Sequence, residues 1–369
     1  MALLQEGQTL RDTYEVERYL GEGAFAEVYR VKHNILGRLA MKVMKLPGLS
    51  LEEVRTMLCE AVLLTRINHP NIIRVYDANA LAHEGRNYGF FTMEYVAGGS
   101  LDQFWRSYGN QFVPVPAVVE IMKQVCRGLV LAHSQDPPII HRDIKPQNIL
   151  IGYDKDGLRA RVSDFGLAKS VNPLTLMASA RGTRCFKSPE AFEDFNSDSC
   201  AGDVWATGTT LYLLLTDRLP FEIPDDSSGV TLKTFGTLPM SPSRLNALCD
   251  ARLDRIVMKA LAVDPQNRYQ TAAEFLVDLD GWTLPLPASP EREPHSTTSF
   301  QTSKEVLGSH SPANEEIARR MASEAVQLAQ SGARLIEAAD MMEEALNKCP
   351  ALRSEYQGRV KLWRRGISL

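Results

Sequence analysis

A cluster of polar residues in the middle of the chain places the strongest constraint on its fold. The segment 141–148 reads His-Arg-Asp-Ile-Lys-Pro-Gln-Asn, and Asp164-Phe165-Gly166 follows after fifteen further residues. The apolar run 149–151 lies directly after the first segment, which predicts a buried strand there. A fold that accepts this sequence must therefore hold a carboxylate, an amine and further oxygen donors around one short strand.

The residue types in this cluster suit phosphoryl transfer, which asks a protein mainly to align two oxygens and to neutralise charge on the γ-phosphate. Asp143 would accept the proton of an acceptor hydroxyl, and Lys145 would hold the γ-phosphate. Asn148 and Asp164 would supply the hard oxygen ligands that Mg²⁺ prefers. A charged turn and an ordinary loop would explain either triplet alone, but their order and spacing favour the catalytic interpretation.

A glycine-rich segment near the N-terminus adds a second signal. It is weak alone, because a dinucleotide-binding fingerprint has similar glycines. That fingerprint would continue into a helix and an acidic residue, whereas residues 28–31 alternate like a strand and Lys42 follows. The pattern therefore favours a hairpin over ATP phosphates. Its candidate residues are Gly21, Glu22, Gly23, Ala24, Phe25, Ala26 and Val28.

Lys42 follows the glycine-rich segment at the distance of a strand lysine that contacts the α- and β-phosphates. Glu60 is its natural partner, since it lies in a stretch from Leu51 to Ile67 with helical apolar spacing. An ion pair between the two would tie the position of this helix to ATP binding. The ordinary alternative for Glu60 is a solvated helix face.

With these motifs in order, residues 14 to about 282 resemble the eukaryotic-like serine/threonine protein kinases of bacteria, over about three quarters of the chain. The resemblance implies an α+β, bilobal fold with a β-rich N-lobe at about 14–93, a hinge at 94–97 and a mainly helical C-lobe at about 98–282. It also implies that ATP lies in the cleft with Mg²⁺, Mn²⁺ being possible.

The same resemblance assigns the adenine pocket. Met93 would be the gatekeeper, and backbone groups of Glu94 and Val96 would hydrogen-bond the base. Val28 and Ala40 would lie above the ring and Leu150 below it. Four further side chains would stack in an assembled site, although they are equally explained as ordinary core: Leu64, Val75, His141 and Phe165.

The segment 182–190 resembles the substrate-docking loop of the family. Thr183 would bond Asp143 and Lys145, which favours serine or threonine as acceptor. Glu190 should form a buried ion pair with Arg268, and Asp203 should brace the backbone of the catalytic loop. The sequence departs from the family pattern at Ala26, Cys185, Phe186 and Ser188, none of which removes a group needed for transfer.

Arg142 precedes the proposed base and in this family often pairs with a phosphate on the activation segment. Thr175 and Ser179 are the candidate phosphosites. A phosphate there carries roughly −1.5 to −2 charge and could order the loop against Arg142. We therefore predict autophosphorylation, the alternative being a loop that is active without modification.

Composition excludes other classes. A net charge of −4 gives no general reason to expect nucleic acid or an anionic membrane as partner. No apolar run approaches the ~18 residues of a membrane span, and the chain lacks a leader pattern, so we expect a cytoplasmic signalling enzyme. The six cysteines show no zinc spacing and are expected to be reduced.

Residues 283–313 are rich in Pro, Ser and Thr and predict a flexible linker. Helical periodicity returns over 314–369 and resembles a tetratricopeptide unit. These helices would pack on each other, on the kinase or on a second chain, so a protein partner and a homodimer both remain possible. The three predicted stripes are Ile317, Met321, Ala325 and Leu328; Leu335, Ala339, Met342 and Leu346; and Leu352, Tyr356, Val360 and Trp363.

Three functions remain open at this point. The first is an active serine/threonine kinase that uses Mg-ATP on protein substrates and recruits a partner through its tail. The second is a nucleotide-binding pseudokinase scaffold, against which the intact set of charged residues counts. The third is a small-molecule kinase, which the docking-loop pattern disfavours.

Overall fold

The computed structural model describes residues 2–23, 26–45, 68–165, 184–193, 199–221, 232–284, 312–330, 332 and 334–367. The chain divides into two compact units. The first unit comprises residues 1–96 and 161–181, and the second unit comprises 97–160 and 182–369. In the described residues, no helix is long and apolar enough to cross a membrane.

The first unit is built on an antiparallel sheet of six described strands, which lie in the chain order 1-2-3-4-6-5 from one edge to the other. Alternating residues of neighbouring strands, among them Tyr29, Val31, Met41 and Phe90, are buried on one face. The strands are β1 (Thr9–Leu10), β2 (Tyr14–Glu22), β3 (Ala26–His33), β4 (Gly37–Met44), β5 (Val75–His83) and β6 (Arg86–Glu94).

The second unit is mainly helical, which together with the sheet confirms the predicted α+β class. A hairpin of two strands, β7 (Ile149–Asp154) and β8 (Gly157–Val162), follows the catalytic loop. The helices are α1 (Leu101–Arg106), α2 (Val115–His133), α3 (Glu190–Glu193), α4 (Cys200–Thr216), α5 (Pro242–Leu245), α6 (Ala251–Ala260), α7 (Ala272–Gly281), α8 (Pro312–Gln330), α9 (Leu335–Lys348) and α10 (Arg353–Arg364).

Helix α4 forms the centre of the second unit. It is apolar on nearly every side and is buried along almost its whole length, as expected for a helix surrounded by protein. Three threonine hydroxyls inside it donate to the carbonyl four residues earlier, so these polar atoms are satisfied without water. Ser199 caps the N-terminus by accepting from Gly202 N–H.

The three C-terminal helices form one apolar cluster, which also contains Tyr153 and Leu158 of the β7–β8 hairpin. Two of the packing options for the tail are therefore realised, because its helices pack on each other and on the kinase-like part of the chain. Gly332, the predicted break, has a left-handed φ of +66° that suits glycine. The segment 285–311, most of the predicted linker, lies outside the described residues.

The predicted buried face of α8 is wrong only at Ile317, because Ala325 is buried and Met321 and Leu328 pack against the apolar cluster. Ile317 is 47% exposed, whereas Ala318, Ala322, Ala325 and Ala329 are buried. Small alanine side chains allow α8 to approach α9 closely. The buried face of α8 therefore depends on how closely the two helices can pack, and not only on the hydrophobicity of its side chains. The second stripe is buried as predicted, and in the third only Tyr356 remains partly exposed.

An acidic pair inside the tail shares one guanidinium. Arg364 donates to Asp340 Oδ1 at 2.7 Å and to Glu343 Oε1 at 2.8 Å. Burial raises the pKa of Glu343 to about 7; the charge of Arg364 opposes this rise, and that of Asp340 adds to it. The basic C-terminal residue Arg364 is thus engaged within the chain.

We expect the free energy of unfolding of the tail helices to fall as pH rises from about 4.5 to about 7. The stabilisation linked to a raised pKa is complete below the unfolded-state value of 4.5 and is lost as pH passes the folded-state value. Thermal unfolding of the wild type and of Glu343→Gln across this pH range measures the difference. Glu324→Gln, at an exposed position of α8, is the matched control. Parallel pH profiles for wild type and Glu343→Gln would contradict the prediction.

Candidate active site

The catalytic-loop residues come together in the second unit. Asp143 Oδ2 accepts hydrogen bonds from Lys145 Nζ at 2.8 Å and from Asn148 Nδ2 at 2.9 Å. Asn148 Nδ2 also donates to the carbonyl of Asp143 at 2.8 Å. Because the amide nitrogen faces Asp143, the amide oxygen of Asn148 is the atom suited to ligate a metal. The loop thus carries a carboxylate, an ammonium and an amide in one hydrogen-bonded group.

Asp203 braces this loop, as predicted. Its carboxylate accepts from the backbone N–H of His141 at 2.8 Å and of Arg142 at 2.9 Å. His133 Nε2 lies 2.9 Å from the same carboxylate. Burial alone would raise the pKa of Asp203, but the hydrogen bond from His133 and the neighbouring His141 hold it below its usual value. The loop backbone is therefore tied to an ionised, fully buried group.

Sequence reasoning missed a second brace, from Lys187. Its ammonium donates to the carbonyl of Arg142 at 2.9 Å. Arg142 has a left-handed φ of +70°, a conformation that costs a non-glycine residue about 1–3 kcal/mol and persists where surroundings impose it. Asp203 holds its N–H and Lys187 its carbonyl. Neither pairing has a local sequence signal, because the partners are remote along the chain.

Lys42 and Asp164 meet in the first unit. Lys42 Nζ lies 2.7 Å from Asp164 Oδ1 and 5.9 Å from the centroid of the Phe91 ring. Asp164 has a φ of +64°, and Phe165 after it is buried. Val162, two residues before Asp164, is hydrogen-bonded to the segment that leads into β5. Its N–H donates to Asn71 O and its carbonyl accepts from Ile73 N–H, both at 2.9 Å.

The glycine-rich segment is a hairpin between β2 and β3. Gly21 pairs with Val28, Glu22 pairs with Glu27, and Gly23 N–H donates to Ala26 O at 2.8 Å. Lys45 was not anticipated here. Its ammonium binds Glu22 Oε2 at 2.6 Å and Gly23 O at 3.0 Å.

The adenine-pocket candidates of the first unit lie on adjacent strands. Ala40 is opposite Met93 in the β4–β6 ladder, and both are buried. Glu94 N–H donates to Arg74 O at 2.8 Å, so this group is engaged within the sheet. The Glu94 carboxylate pairs with Arg161 at 3.0 Å, and Val96 is partly buried. In the second unit, Leu150 is partly buried and bridges Ser100.

Several predicted residues lie outside the described residues. Nothing in the structure tests Ala24 or Phe25 of the glycine-rich segment, Glu60 as partner of Lys42, or Thr183 of the docking loop. Thr175 and Ser179 belong to the same group. Their assigned roles stay predictions.

The described end of the docking loop contains the predicted ion pair. Arg268 donates to Glu190 Oε1 at 2.8 Å and to Oε2 at 3.1 Å. Burial would raise the pKa of Glu190, but Arg268 lowers it below its usual value, and the Ser188 hydroxyl adds to this lowering. Serine in place of alanine before Pro-Glu thus has a local structural role.

Two further observations concern metal-ligating side chains and thiols. No group of three or more His, Cys, Asp and Glu side chains there could hold a metal ion. Five cysteines of the described residues, Cys126, Cys185, Cys200, Cys249 and Cys349, are free thiols.

Comparison with known proteins gives a consistent family. The sequence model of the protein kinase domain family matches residues 14–278. The serine/threonine-protein kinase PknB of Mycolicibacterium smegmatis is 35% identical over 282 residues, which are 74% of this chain and 43% of that protein. A probable serine/threonine-protein kinase of Clostridium acetobutylicum is 32% identical over 277 residues, 74% of this chain and 40% of that protein. The chain thus spans less than half the length of these curated relatives.

Solved structures agree on the fold. The crystal structure of the PknI kinase domain of Mycobacterium tuberculosis, in a double mutant, superposes with a TM-score of 0.57 at 26% identity. The match covers 76% of this chain and 99% of that one.

Proposed function

Since this chain belongs to the protein kinase family, we propose that it transfers the γ-phosphoryl group of Mg-ATP to serine or threonine hydroxyls of proteins. One observation carries the proposal: Asp143 is held by Lys145 and Asn148 on a loop whose backbone is bound by buried Asp203. A carboxylate fixed in this way can accept a proton in a defined direction. The matched relatives, which are named as serine/threonine kinases, support the choice of acceptor.

Each charged group then has a stated task. Asp143 accepts the proton of the attacking hydroxyl, and Lys145, 2.8 Å from it, stabilises the charge that develops on the γ-phosphoryl oxygens. Asp164 and the amide oxygen of Asn148 are the oxygen donors that we assign to the metal. When bound, Mg²⁺ neutralises phosphate charge and orients the nucleotide.

We assign the nucleotide contacts residue by residue. Lys42 would contact the α- and β-phosphates, because the pairing of Val28 with Lys42 between β3 and β4 places Lys42 beside the glycine-rich hairpin. In the structure its ammonium is paired with Asp164. Lys45, bound to Glu22 and Gly23, stiffens that hairpin. Met93 with Ala40, and Leu150, are the apolar contacts that we assign to adenine.

The test is incubation of the full chain with labelled ATP and Mg²⁺, with and without a generic protein acceptor, followed by mass spectrometry of the phosphorylated sites. Phosphate on serine or threonine supports the proposal. Transfer only to a small molecule would contradict it. Nucleotide binding without any transfer would instead favour the pseudokinase scaffold.

We also propose autophosphorylation at Thr175 or Ser179. A phosphate there would bring strong acceptors for the guanidinium of Arg142, whose backbone is already fixed on both sides. The Thr175→Ala, Ser179→Ala double variant is expected to lose roughly tenfold or more in specific activity. A tenfold loss corresponds to a change of about 1.4 kcal/mol in the free-energy difference between the inactive and active states. Thr298→Ala, in the predicted linker, is the control. Full activity of the double variant would show that the loop needs no modification.

A further inference from the structure

Arg353, the first residue of α10, has an unusual environment. It is 8% exposed, and its guanidinium lies 4.2 Å from the ring centroid of Phe104 and 4.7 Å from that of Tyr108. One terminal nitrogen donates to Ser107 Oγ at 3.0 Å, while Nε and the other terminal nitrogen have no hydrogen-bond partner. Among the described residues, no carboxylate forms an ion pair with it. Two aromatic faces therefore stabilise this buried cation.

The ring contacts and the Ser107 hydrogen bond of Arg353 lie at the C-terminal end of α1, and Tyr153 of β7 is a further neighbour. Phe104 belongs to α1, Ser107 is its C-cap, and Tyr108 follows. At the other end of α1, the tail makes a second contact. Asn347 of α9 lies so close to Gly99 that a Cβ there would be 2.9 Å from Asn347 Nδ2. The tail thus holds α1 near both of its ends.

Helix α1 in turn is bonded to the stretch that follows the catalytic loop. Ile151 N–H donates to Gly99 O at 2.8 Å, and Ser100 forms a bridge with Leu150. Gln147 Nε2 donates to Asp102 Oδ1 at 2.9 Å. The approach is close, since a Cβ on Gly98 would lie 2.2 Å from Ile151 O. A shift of α1 would therefore displace residues 147–151.

We propose that Arg353 is a positioning residue for the nucleotide site, because the tail clamps α1 and α1 fixes the stretch 147–151 that carries Asn148 and Leu150. This inference rests on the proposed function, in which Asn148 binds the metal and Leu150 contacts adenine. Arginine suits the position, because its planar group stacks on both rings while donating to Ser107. The tail is then part of the catalytic unit rather than an independent recruitment module.

The test compares Arg353→Ala with Arg359→Ala, which removes an exposed arginine from the same helix. Three quantities are measured on the full chain: the Kd for ATP, kcat with KM for ATP, and amide hydrogen exchange of residues 149–152 without nucleotide. For Arg353→Ala we expect the Kd and KM for ATP to rise about tenfold, kcat to fall less, and the Ile151 amide to exchange faster. Arg359→Ala should match the wild type.

Two further variants separate positioning from general loss of stability. Val360→Ala removes buried side-chain volume from the apolar cluster of the tail, which includes no residue of α1, and it should lower the melting temperature with little change in ATP affinity. Arg353→Lys retains the charge but not the planar group, and it decides the matter if Arg353→Ala does not fold. An ATP Kd and Ile151 exchange rate equal to wild type in a folded Arg353 variant would overturn the proposal. So would an equal loss of affinity in Val360→Ala.

Amide exchange and nucleotide binding do not need phosphoryl transfer. If the wild type binds ATP without transferring phosphate, the proposed function fails while the role of Arg353 is still decided by these two measurements.

Discussion

The Asp143→Asn variant is expected to transfer phosphate about 10²–10⁴ times more slowly than the wild type, the range that a positioned general base contributes. Asparagine keeps the shape of the side chain but loses the basic carboxylate that accepts hydrogen bonds from Lys145 and Asn148. The fold should survive, because the braces of the loop come from Asp203 and Lys187. Initial rates at saturating ATP, with melting temperatures measured beside them, give the result.

Asp156→Asn is the matched control, since its carboxylate is exposed in the turn between β7 and β8 and pairs with Arg159 only at 3.7 Å. It should have wild-type activity. If Asp143→Asn also retained full activity, Asp143 would not be the base. If Asp143→Asn lost both its activity and its melting transition, the loss would reflect unfolding rather than loss of the base. ATP binding measured in the same sample distinguishes a folded, inactive variant from an unfolded one.

The Arg268→Ala variant is expected to lose about 3–5 kcal/mol of stability, the cost of removing one partner of a buried ion pair. The Arg268 side chain is 0% exposed and donates to both oxygens of Glu190 and to the carbonyl of Ala201 at 2.9 Å. It also lies 4.9 Å from the Trp205 ring centroid. Truncation leaves the Glu190 carboxylate and a buried carbonyl without their donor. A melting temperature lower by roughly 6–20 °C is the corresponding shift.

Two comparisons make this result specific. Arg255→Ala, at an exposed position of α6, should change stability by less than about 0.5 kcal/mol. The double variant Arg268→Ala, Glu190→Ala should recover part of the loss, because no uncompensated charge remains. The pKa of Glu190 is lowered, so the stability it contributes is present at neutral pH and is lost as pH falls towards its folded-state value. A loss below about 1 kcal/mol for Arg268→Ala would contradict the prediction.

Much of the site was predictable because its reactive residues lie close together in short segments of the sequence. The spacing of Asp143, Lys145 and Asn148 predicted one catalytic centre, and the structure adds that these three side chains are hydrogen-bonded to one another through Asp143. The Glu190 and Arg268 pairing was available only through the family resemblance, since 78 positions separate the two. Nothing local identified Lys187 or Lys45, because lysines at such positions are ordinarily solvated.

The sequence by itself determined the elements and the reactive groups, since helical and strand periodicity and the catalytic spacings are properties of neighbouring residues. Only the tertiary structure decided which remote groups meet: His133 with Asp203, Lys187 with the carbonyl of Arg142, and Arg353 with the rings beside α1. It also left Ile317 of α8 exposed while it buried the neighbouring Ala318. The physical reason is that burial and pairing depend on which surfaces fit closely in space, and one stretch of sequence does not specify the surface that will cover it.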